Sequence, residues 1–322
     1  MHRTGSERKS TSPHSHSPSV TAVAAVIVAN IALAFGPMLV RMADVGPVAA
    51  AFWRLAMAVP VLFMVAFATG SNPVRDSRGL WFVIALGGVA FAGDLASWHT
   101  GIVRTTLANA TLFGNSATLI YPIYGFLIAR MWPTRWQAVA LALAAGGAAL
   151  LMGRSAELSA RNLAGDLFCL LAGVLYAVYF ICMARARMRL APAPALAMIS
   201  LATLAPLLVL SLALGERFVP IDWVPLVILT LSSQLLGQGL MSYALGHLPP
   251  ILIGIALLLQ PIVAGITGWI VYDERLTGAD WIGALLVAAA LVLVRRGPPP
   301  ARLAAEALAD DDDATKSDGK GD

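Results

Sequence analysis

Ten long apolar segments dominate this sequence of 322 residues, and each is long enough to cross a lipid bilayer as an α-helix. A helix rises about 1.5 Å per residue, so about 20 apolar residues span a hydrocarbon core of roughly 30 Å. The stretches between the segments are short, which is typical of helices that run up and down in succession. The predicted spans cover residues 20–40, 47–68, 79–98, 105–129, 136–152, 164–184, 193–214, 222–246, 249–271 and 279–295.

The composition excludes an ordinary water-soluble domain. Hydrophobic residues make up 58% of the chain and charged residues only 12%, whereas a soluble domain has about 25% charged residues. The 22 Lys and Arg residues are scattered singly between apolar runs, without a basic patch interleaved with aromatic residues. This pattern does not indicate a nucleic-acid partner. It predicts an all-α polytopic membrane protein whose surroundings are the lipid bilayer.

The positive charges predict that both termini are cytoplasmic. With the N-terminus inside, fifteen of the 22 Lys and Arg residues fall on the inner side, six fall on the outer side, and Arg54 remains within a span. Positive residues accumulate on the cytoplasmic side of membrane proteins. The loops between helices are nearly balanced, so this orientation depends mainly on the two ends of the chain.

The two halves of the chain resemble each other in the order of their features. The aligned pairs are Trp136 with Trp281, Asp94 with Gln238, and Arg54 with Ser200. Five spans in each half is an odd number, so the halves must have opposite orientations, an inverted repeat found in many secondary transporters. The predicted organisation is a disordered tail (1–19), a first five-helix repeat (20–152), a linker loop (153–163), a second five-helix repeat (164–296) and a disordered acidic tail (297–322).

The segment QPIVAGITGWIVYDERLTGADWIG resembles the second half of EamA-like members of the drug/metabolite transporter superfamily, above all in Pro261 followed by the Glu274–Thr277 ending. The segment ANATLFGNSAT, Ala108–Thr118, resembles the matching part of the first half. The chain departs from the family pattern where Met131-Trp132 replace Glu-Arg and where Thr118 replaces proline. The resemblance covers residues 20–295 and implies an inner-membrane carrier of small metabolites or drugs, often an exporter.

Two charges lie deep within predicted spans. Arg54 is seven residues past Pro47 on one helix, and Asp94 is four residues before Trp98 on the next helix, which runs in the opposite direction. At the helical rise per residue, both lie about 6–10 Å below the same membrane face. We expect them to pair with each other or to share a polar cavity. Two interpretations stay open: a substrate-binding Arg beside a carboxylate that carries a coupling proton, or a buried ion pair that only fixes helix packing.

Uncharged polar residues extend the predicted substrate or coupling site. They are Asn30, Asn109, Asn115, Thr118, Tyr121, Gln238 and Gln260. A proline inside a helix permits a kink, so Pro261 is a candidate gating residue. Trp98 is a candidate cap for the outer end of the cavity, and His99 is expected at the membrane interface.

Several functions lack a sequence signature. The chain contains neither a P-loop motif nor a zinc-protease or serine-hydrolase motif, so no cofactor, metal or catalytic residue is predicted. The predicted function is alternating-access transport of a small molecule around a midplane cavity. An integral-membrane enzyme acting on lipid or prenyl substrates is the alternative, although such enzymes generally need clustered polar residues near one face. A non-transporting receptor or scaffold is a further alternative, but it has no need of an internal polar set.

Overall fold

The computed structural model describes residues 20–116, 135–245, 256, 259–275 and 277–293. The regular elements in these ranges are helices. In chain order they are α1 (Val20–Ala34), α2 (Gly36–Met42), α3 (Pro47–Ala68), α4 (Pro73–Asp76), α5 (Trp81–Ile102), α6 (Leu107–Gly114), α7 (Arg135–Leu158), α8 (Ala160–Arg187), α9 (Pro192–Ala213), α10 (Val224–Leu229), a π-helical segment (Thr230–Gly237), α11 (Gln238–Leu245), α12 (Leu259–Tyr272) and α13 (Gly278–Leu293).

Six helical stretches of the described ranges are long and apolar enough to cross a membrane. They are Val20–Met42, Pro47–Ala68, Trp81–Ile102, Ala160–Arg187, Pro192–Ala213 and Val224–Ala244. Three shorter apolar helices cover Ala138–Leu151, Leu259–Tyr272 and Gly278–Ala290. The predicted span at 105–129 is described only as far as Ser116. The all-helical polytopic class is therefore confirmed, whereas ten spans remain a prediction.

Large apolar side chains are exposed on the outside of the bundle. Phe82 is 80% exposed, Val209 is 66% exposed and Ile270 is 71% exposed. Hydrocarbon chains of lipid solvate such a surface, whereas water does not. Polar groups that lie inside this bundle must find partners within the protein.

The predicted linker at 153–163 is almost entirely helical, which corrects the sequence interpretation. The helix α7 continues to Leu158, α8 begins at Ala160, and Ser159 alone separates them. The hydroxyl of Ser159 accepts a hydrogen bond from the backbone N–H of Asn162 at 3.1 Å and so caps α8. The polar composition of this stretch marks the end of an apolar run, but helical backbone hydrogen bonding extends past that run.

Helices of the first half pack mainly against helices of the second half. The most extensive contact joins α5 and α8. The two helices run antiparallel, as shown by Gly101 lying against Cys169 and Gly87 lying against Cys182. Other extensive contacts join α7 with α13, α3 with α9, α6 with α12, and α1 with both α11 and the π-helical segment. Glycines allow this close approach of apolar helices.

The helix termini form two ends of the bundle. One end contains the last residues of α2, α5, α9 and α12 and the first residues of α3, α6, α8 and α10, as contacts between these termini show. We refer to it as the Glu274 end. The first residues of α1 and α5 and the last residues of α3 and α8 lie at the opposite end.

Candidate functional site

A polar cavity lies among helices of both halves of the chain. It contains about 520 Å³ of space not filled by protein atoms, its opening included, and about 50 Å³ of space for the centres of water-sized molecules. The lining residues are Leu33, Arg54, Phe91, Asp94, Leu95, Trp98, Thr111, Gly114, Asn115, Tyr176, Gln238 and Gln260. Six of the residues that the sequence predicts for the site, namely Arg54, Asp94, Trp98, Asn115, Gln238 and Gln260, thus line one space. A cavity of this volume fits a few water molecules or a small solute.

Arg54 is almost completely buried, with 1% of its surface exposed. Its Nε–H donates to Oε1 of Gln234 at 3.1 Å. The hydroxyl of Thr230 donates to the backbone carbonyl of Arg54 at 3.3 Å. Gln234 and Thr230 both belong to the π-helical segment, a type of irregularity that is frequent at functional sites. Residues of the second half of the chain therefore form hydrogen bonds with Arg54, the one charged residue of α3.

Asp94 lies on α5 and keeps 7% of its surface exposed, where it lines the cavity. Arg54 is close enough for the two charges to attract each other. Among the described residues, no hydrogen bond or ion pair joins them directly. The two charges therefore share a cavity and are not sealed together as a contact pair.

A chain of amide groups forms another part of the cavity wall. Nε2 of Gln260 donates to Oδ1 of Asn30 at 2.7 Å, and Nδ2 of Asn30 donates to the carbonyl of Val26 at 2.7 Å. Nδ2 of Asn115 lies 3.5 Å from Oε1 of Gln260. The amides link α1, α12 and the end of α6 beside the cavity. Such bonds satisfy polar groups that lipid cannot.

Gln238 and Tyr176 meet on another side of the cavity. Nε2 of Gln238 lies 3.4 Å from the hydroxyl oxygen of Tyr176, to which it donates. The ring of Tyr176 is stacked near Tyr179, with ring centroids 5.6 Å apart. Tyr179 in turn stacks on Phe91 at 4.3 Å. These rings give the cavity a rigid apolar wall beside its polar groups.

Trp98 lies between the cavity and the Glu274 end of the bundle, one helical turn past Asp94 on α5. Its indole N–H donates to the carbonyl of Ala110 at 3.3 Å. A Cβ at Gly114 would come within 2.9 Å of the indole nitrogen, so glycine at this position makes room for the ring. The role of Trp98 as a cap stays a prediction, and its position is compatible with that role.

The remaining predicted site residues lie elsewhere. Asn109 is outside the cavity, in the first turn of α6, and donates to Asp166 at 3.4 Å. Pro261 is the third residue of α12, and the residues just before this helix are not described. Thr118 and Tyr121 lie outside the described residues. The gating role of Pro261 stays a prediction.

Polar contacts join the two halves of the chain at the Glu274 end. Arg41 donates to Oε1 of Glu274 at 2.6 Å, and Oε2 of Glu274 accepts from the backbone N–H of Leu107 at 2.8 Å. Arg41 also donates to the carbonyls of Ile102, at 2.8 Å, and Thr105. A Cβ at Gly268 would come within 2.5 Å of Glu274, so the absence of a side chain there permits this arrangement. Glu274 thus caps α6 and binds the end of the α2 helix.

A second acidic residue at this end caps another helix. The carboxylate of Glu216 accepts hydrogen bonds from the backbone N–H groups of Val48 at 3.2 Å and Ala49 at 2.8 Å. These groups belong to the first turn of α3, where the helix dipole favours a negative charge. The hydroxyl of Thr105 donates to Asp166, which adds a further contact across the halves.

Asp44 connects the loop before α3 with the loop before α10. Its Oδ2 accepts from the backbone N–H of Ile221 at 2.8 Å and lies 3.5 Å from Nη2 of Arg217. The backbone hydrogen bond from Ile221 is the main cause that lowers the pKa of Asp44 below its ordinary value, with smaller contributions from the Asp222 N–H and the Arg217 charge.

Sequence reasoning missed several residues of the site. Gln234 and Tyr176 are polar side chains inside apolar spans, and that signal could have identified both. His99 is also different from the expectation, since it is completely buried and its Nδ1 lies 3.0 Å from the carbonyl of Pro47. Within the described ranges, no three His, Cys, Asp or Glu residues form a group that could hold a metal ion.

Apolar helices around a charged interior cavity define a polytopic membrane protein with a polar core. The model of the EamA-like transporter family matches the chain twice, over residues 20–153 and 163–296. The chain therefore belongs to the EamA-like transporter family and is an integral membrane protein. A solved crystal structure is similar with a TM-score of 0.58 and 16% identity, covering 86% of this chain and 96% of the other, which shows a shared fold. No curated protein matches the sequence.

Proposed function

We propose that this protein is a secondary active transporter that exports small metabolites or drugs across the inner membrane. One observation carries the proposal: a guanidinium, a carboxylate and several amides from both family repeats line one cavity inside a bundle of apolar helices. Charged groups at membrane depth are costly, and those that persist generally line a pathway for a substrate or an ion.

The packing of the helices supports two inverted five-helix repeats. In span order, the helices α1, α3, α5, α6 and α7 of the first half correspond to α8, α9, the Val224–Leu245 helix, α12 and α13 of the second half. If each helix is exchanged for its counterpart, the pair of α5 and α8 becomes the pair of the Val224–Leu245 helix and α1, which are also in contact. The pairs α3 with α9, α6 with α12, and α7 with α13 each become themselves. This is the pattern expected for halves related by a twofold axis. Rocking the halves about that axis would expose the cavity to each side of the membrane in turn.

The contacts at the Glu274 end support a specific state within that cycle. The ion pair of Arg41 with Glu274 and the hydrogen bond of Thr105 to Asp166 both join the first half to the second. In the proposed cycle these contacts keep the cavity closed towards this end, which faces the outside of the cell if the termini are cytoplasmic. The proposal therefore describes the structure as closed to the outside.

Asp94 is the proposed carrier of a coupling proton. It lines the cavity, and no hydrogen bond from another described residue fixes its charge state. A carboxylate in that position can bind a proton from one side and release it on the other as access alternates.

Transport by the purified full-length protein in proteoliposomes tests the proposal. Labelled amino acids, nucleosides and cationic drugs are offered in counterflow and under an imposed pH gradient, beside an assay of lipid turnover. We expect Asp94→Asn to lose flux driven by the pH gradient while counterflow and membrane levels stay intact. Asp273→Asn makes the same chemical change on an exposed residue that does not line the cavity, and serves as the matched control.

Different results overturn different parts of the proposal. Undiminished proton-driven flux in Asp94→Asn would remove the coupling role and leave the carrier function. Lipid turnover without movement of any solute would instead favour an integral-membrane enzyme that acts on lipid or prenyl chains.

A further inference from the structure

The hydrogen bonds around Arg54 leave one edge of its guanidinium without a partner. The Nε–H is bound by Gln234, whereas Nη1 is buried and has no hydrogen-bond partner among the described residues. A buried donor without an acceptor is costly and rare in native structures. Arg54 lines the cavity, and an acceptor in the cavity that reached Nη1 would remove this cost.

We propose that Gln234 is a positioning residue for Arg54, and that Arg54 binds the carboxylate of a small substrate carrying a single acidic group. This inference rests on the proposed transport function and adds a substrate class to it. Gln234 is completely buried behind Arg54 and does not line the cavity. It holds the Nε edge of the guanidinium, so the remaining N–H groups are left for a ligand. Planar carboxylates match the N–H fork of Arg.

The π-helical segment makes this arrangement possible. Thr230 and Gln234 both contact Arg54, through its backbone carbonyl and its side chain. Gln238, the residue after the segment, faces the cavity and Tyr176. The wider turn of a π-helix changes which side chains share a face. One stretch of chain therefore supports Arg54 from behind and also contributes to the cavity wall.

In its ionised form, Asp94 limits the charge of the substrate. It lines the same small cavity as Arg54, so a second negative charge on the substrate would be repelled at short range in a medium of low dielectric constant. A phosphate dianion is therefore disfavoured relative to a single carboxylate. A positive group elsewhere on the substrate is compatible with Asp94.

Binding and counterflow with three related probes test the inference: leucine, N-acetylleucine and leucinamide. The first two carry a carboxylate, and the third has the same side chain without one. We expect both carboxylates to bind the full-length protein about tenfold or more tightly than leucinamide. Arg54→Gln should abolish this preference, and Arg54→Lys should keep it at reduced affinity because the charge remains while the fork is lost.

Gln234→Met tests the positioning role with a side chain of similar shape that lacks the acceptor. We expect KM for the carboxylates to rise about tenfold, with little change in the maximal rate or in leucinamide binding. Ser232→Ala is the matched control, since Ser232 belongs to the same π-helical segment but is half-buried, does not line the cavity and, among the described residues, donates its hydroxyl hydrogen bond to the carbonyl of Ile228. Gln234→Met tests the inference even if Arg54→Gln fails to fold.

The outcomes separate the substrate class from the transport function. Leucinamide binding as tightly as the carboxylates, or no binding of either carboxylate to folded protein, overturns the carboxylate site. Exchange of cationic or uncharged probes alone has the same consequence and leaves the transporter proposal standing. Equal loss of affinity for all three probes in Gln234→Met would show that Gln234 has only a structural role. Absence of exchange for every class of probe overturns the transport function itself.

Discussion

The carboxylate of Glu274 binds Arg41 at 2.6 Å, and these two residues come from opposite halves of the chain. Both side chains are 15% exposed, so the pair is shielded from water without being fully buried. The same carboxylate caps α6 through the N–H of Leu107. One side chain thus joins three helix ends, and opening this end of the cavity requires breaking its contacts.

Loss of the Glu274 charge should open this end of the cavity. In Glu274→Gln the ion pair becomes a hydrogen bond from the charged Arg41 to a neutral amide, which costs about 1–2 kcal/mol and shifts the population of the open state about five- to thirtyfold. The measurement is the rate at which a membrane-impermeant thiol reagent modifies Asn115→Cys from the Glu274 side. Cys169 and Cys182 are both buried and are first replaced by alanine.

The neighbouring ion pair supplies the control for this experiment. Asp273 and Arg275 are 79% and 81% exposed, and such pairs contribute little to stability. Asp273→Asn keeps a residue that tolerates the positive φ of 51° at this position. We expect no change in the modification rate. Equal acceleration in Asp273→Asn and Glu274→Gln would contradict a specific role for the Arg41 contact.

The carboxylate of Asp44 should make stability depend on pH in the acidic range. Its pKa lies below the ordinary value of 3.8 mainly because the Ile221 N–H binds the ionised form. The stabilisation is therefore present above the ordinary pKa and is lost as the pH falls through the lowered pKa. We expect Asp44→Asn to lower the unfolding temperature at about pH 7, with the difference from wild type shrinking towards about pH 3. A difference independent of pH would contradict this linkage.

The amides of Asn30 and Gln260 should show a measurable coupling energy. Their hydrogen bond of 2.7 Å is buried and joins α1 to α12. Bonds between membrane helices contribute about 0.6 kcal/mol on average and up to about 1.7 kcal/mol. A double-mutant cycle with Asn30→Leu and Gln260→Leu, followed by unfolding in detergent, measures this coupling. Strict additivity of the two substitutions would show that the bond makes no net contribution.

The depths of Arg54 and Asp94 within their predicted spans were enough to expect both residues in one cavity. Helical rise and span order are regular, so positions along neighbouring helices can be compared without a structure. The same reasoning failed for Asn109, because α6 begins at Leu107 and leaves this residue in the first turn. Gln234 could not be assigned to Arg54 since a π-helical segment alters the spacing of side chains on a face.

Contacts between the two halves could not be predicted from the local sequence pattern, because they form only when the chain folds. The sequence marked Glu274 only as part of a family motif, whereas its partners Arg41 and Leu107 are more than 160 residues away, with separations of 233 and 167. Polar residues near the ends of spans are ordinarily solvated, and their pattern resembles that of any loop. The cross-half contacts at the Glu274 end therefore emerge only from the fold.

The adjacent glycines Gly146 and Gly147 should respond oppositely to substitution by alanine. A Cβ at Gly147 would come within 2.7 Å of the backbone carbonyl of Gly283, so α7 and α13 would have to separate. A Cβ at Gly146 would meet nothing within 4 Å. We expect Gly147→Ala to destabilise the protein by about 1–3 kcal/mol through overpacking. Gly146→Ala should be neutral or stabilising by up to about 1 kcal/mol, since alanine has the higher helix propensity.

Unfolding of the two variants in the same detergent separates packing from helix propensity. Both substitutions add one methyl group to the same helix, and only the face that receives it differs. Because α7 and α13 form one of the most extensive contacts between the halves, Gly147→Ala should also slow counterflow if the two helices stay packed during the transport cycle. Similar stability of both variants would show that α7 and α13 adjust their separation freely, and the close contact at Gly283 would then have no energetic importance.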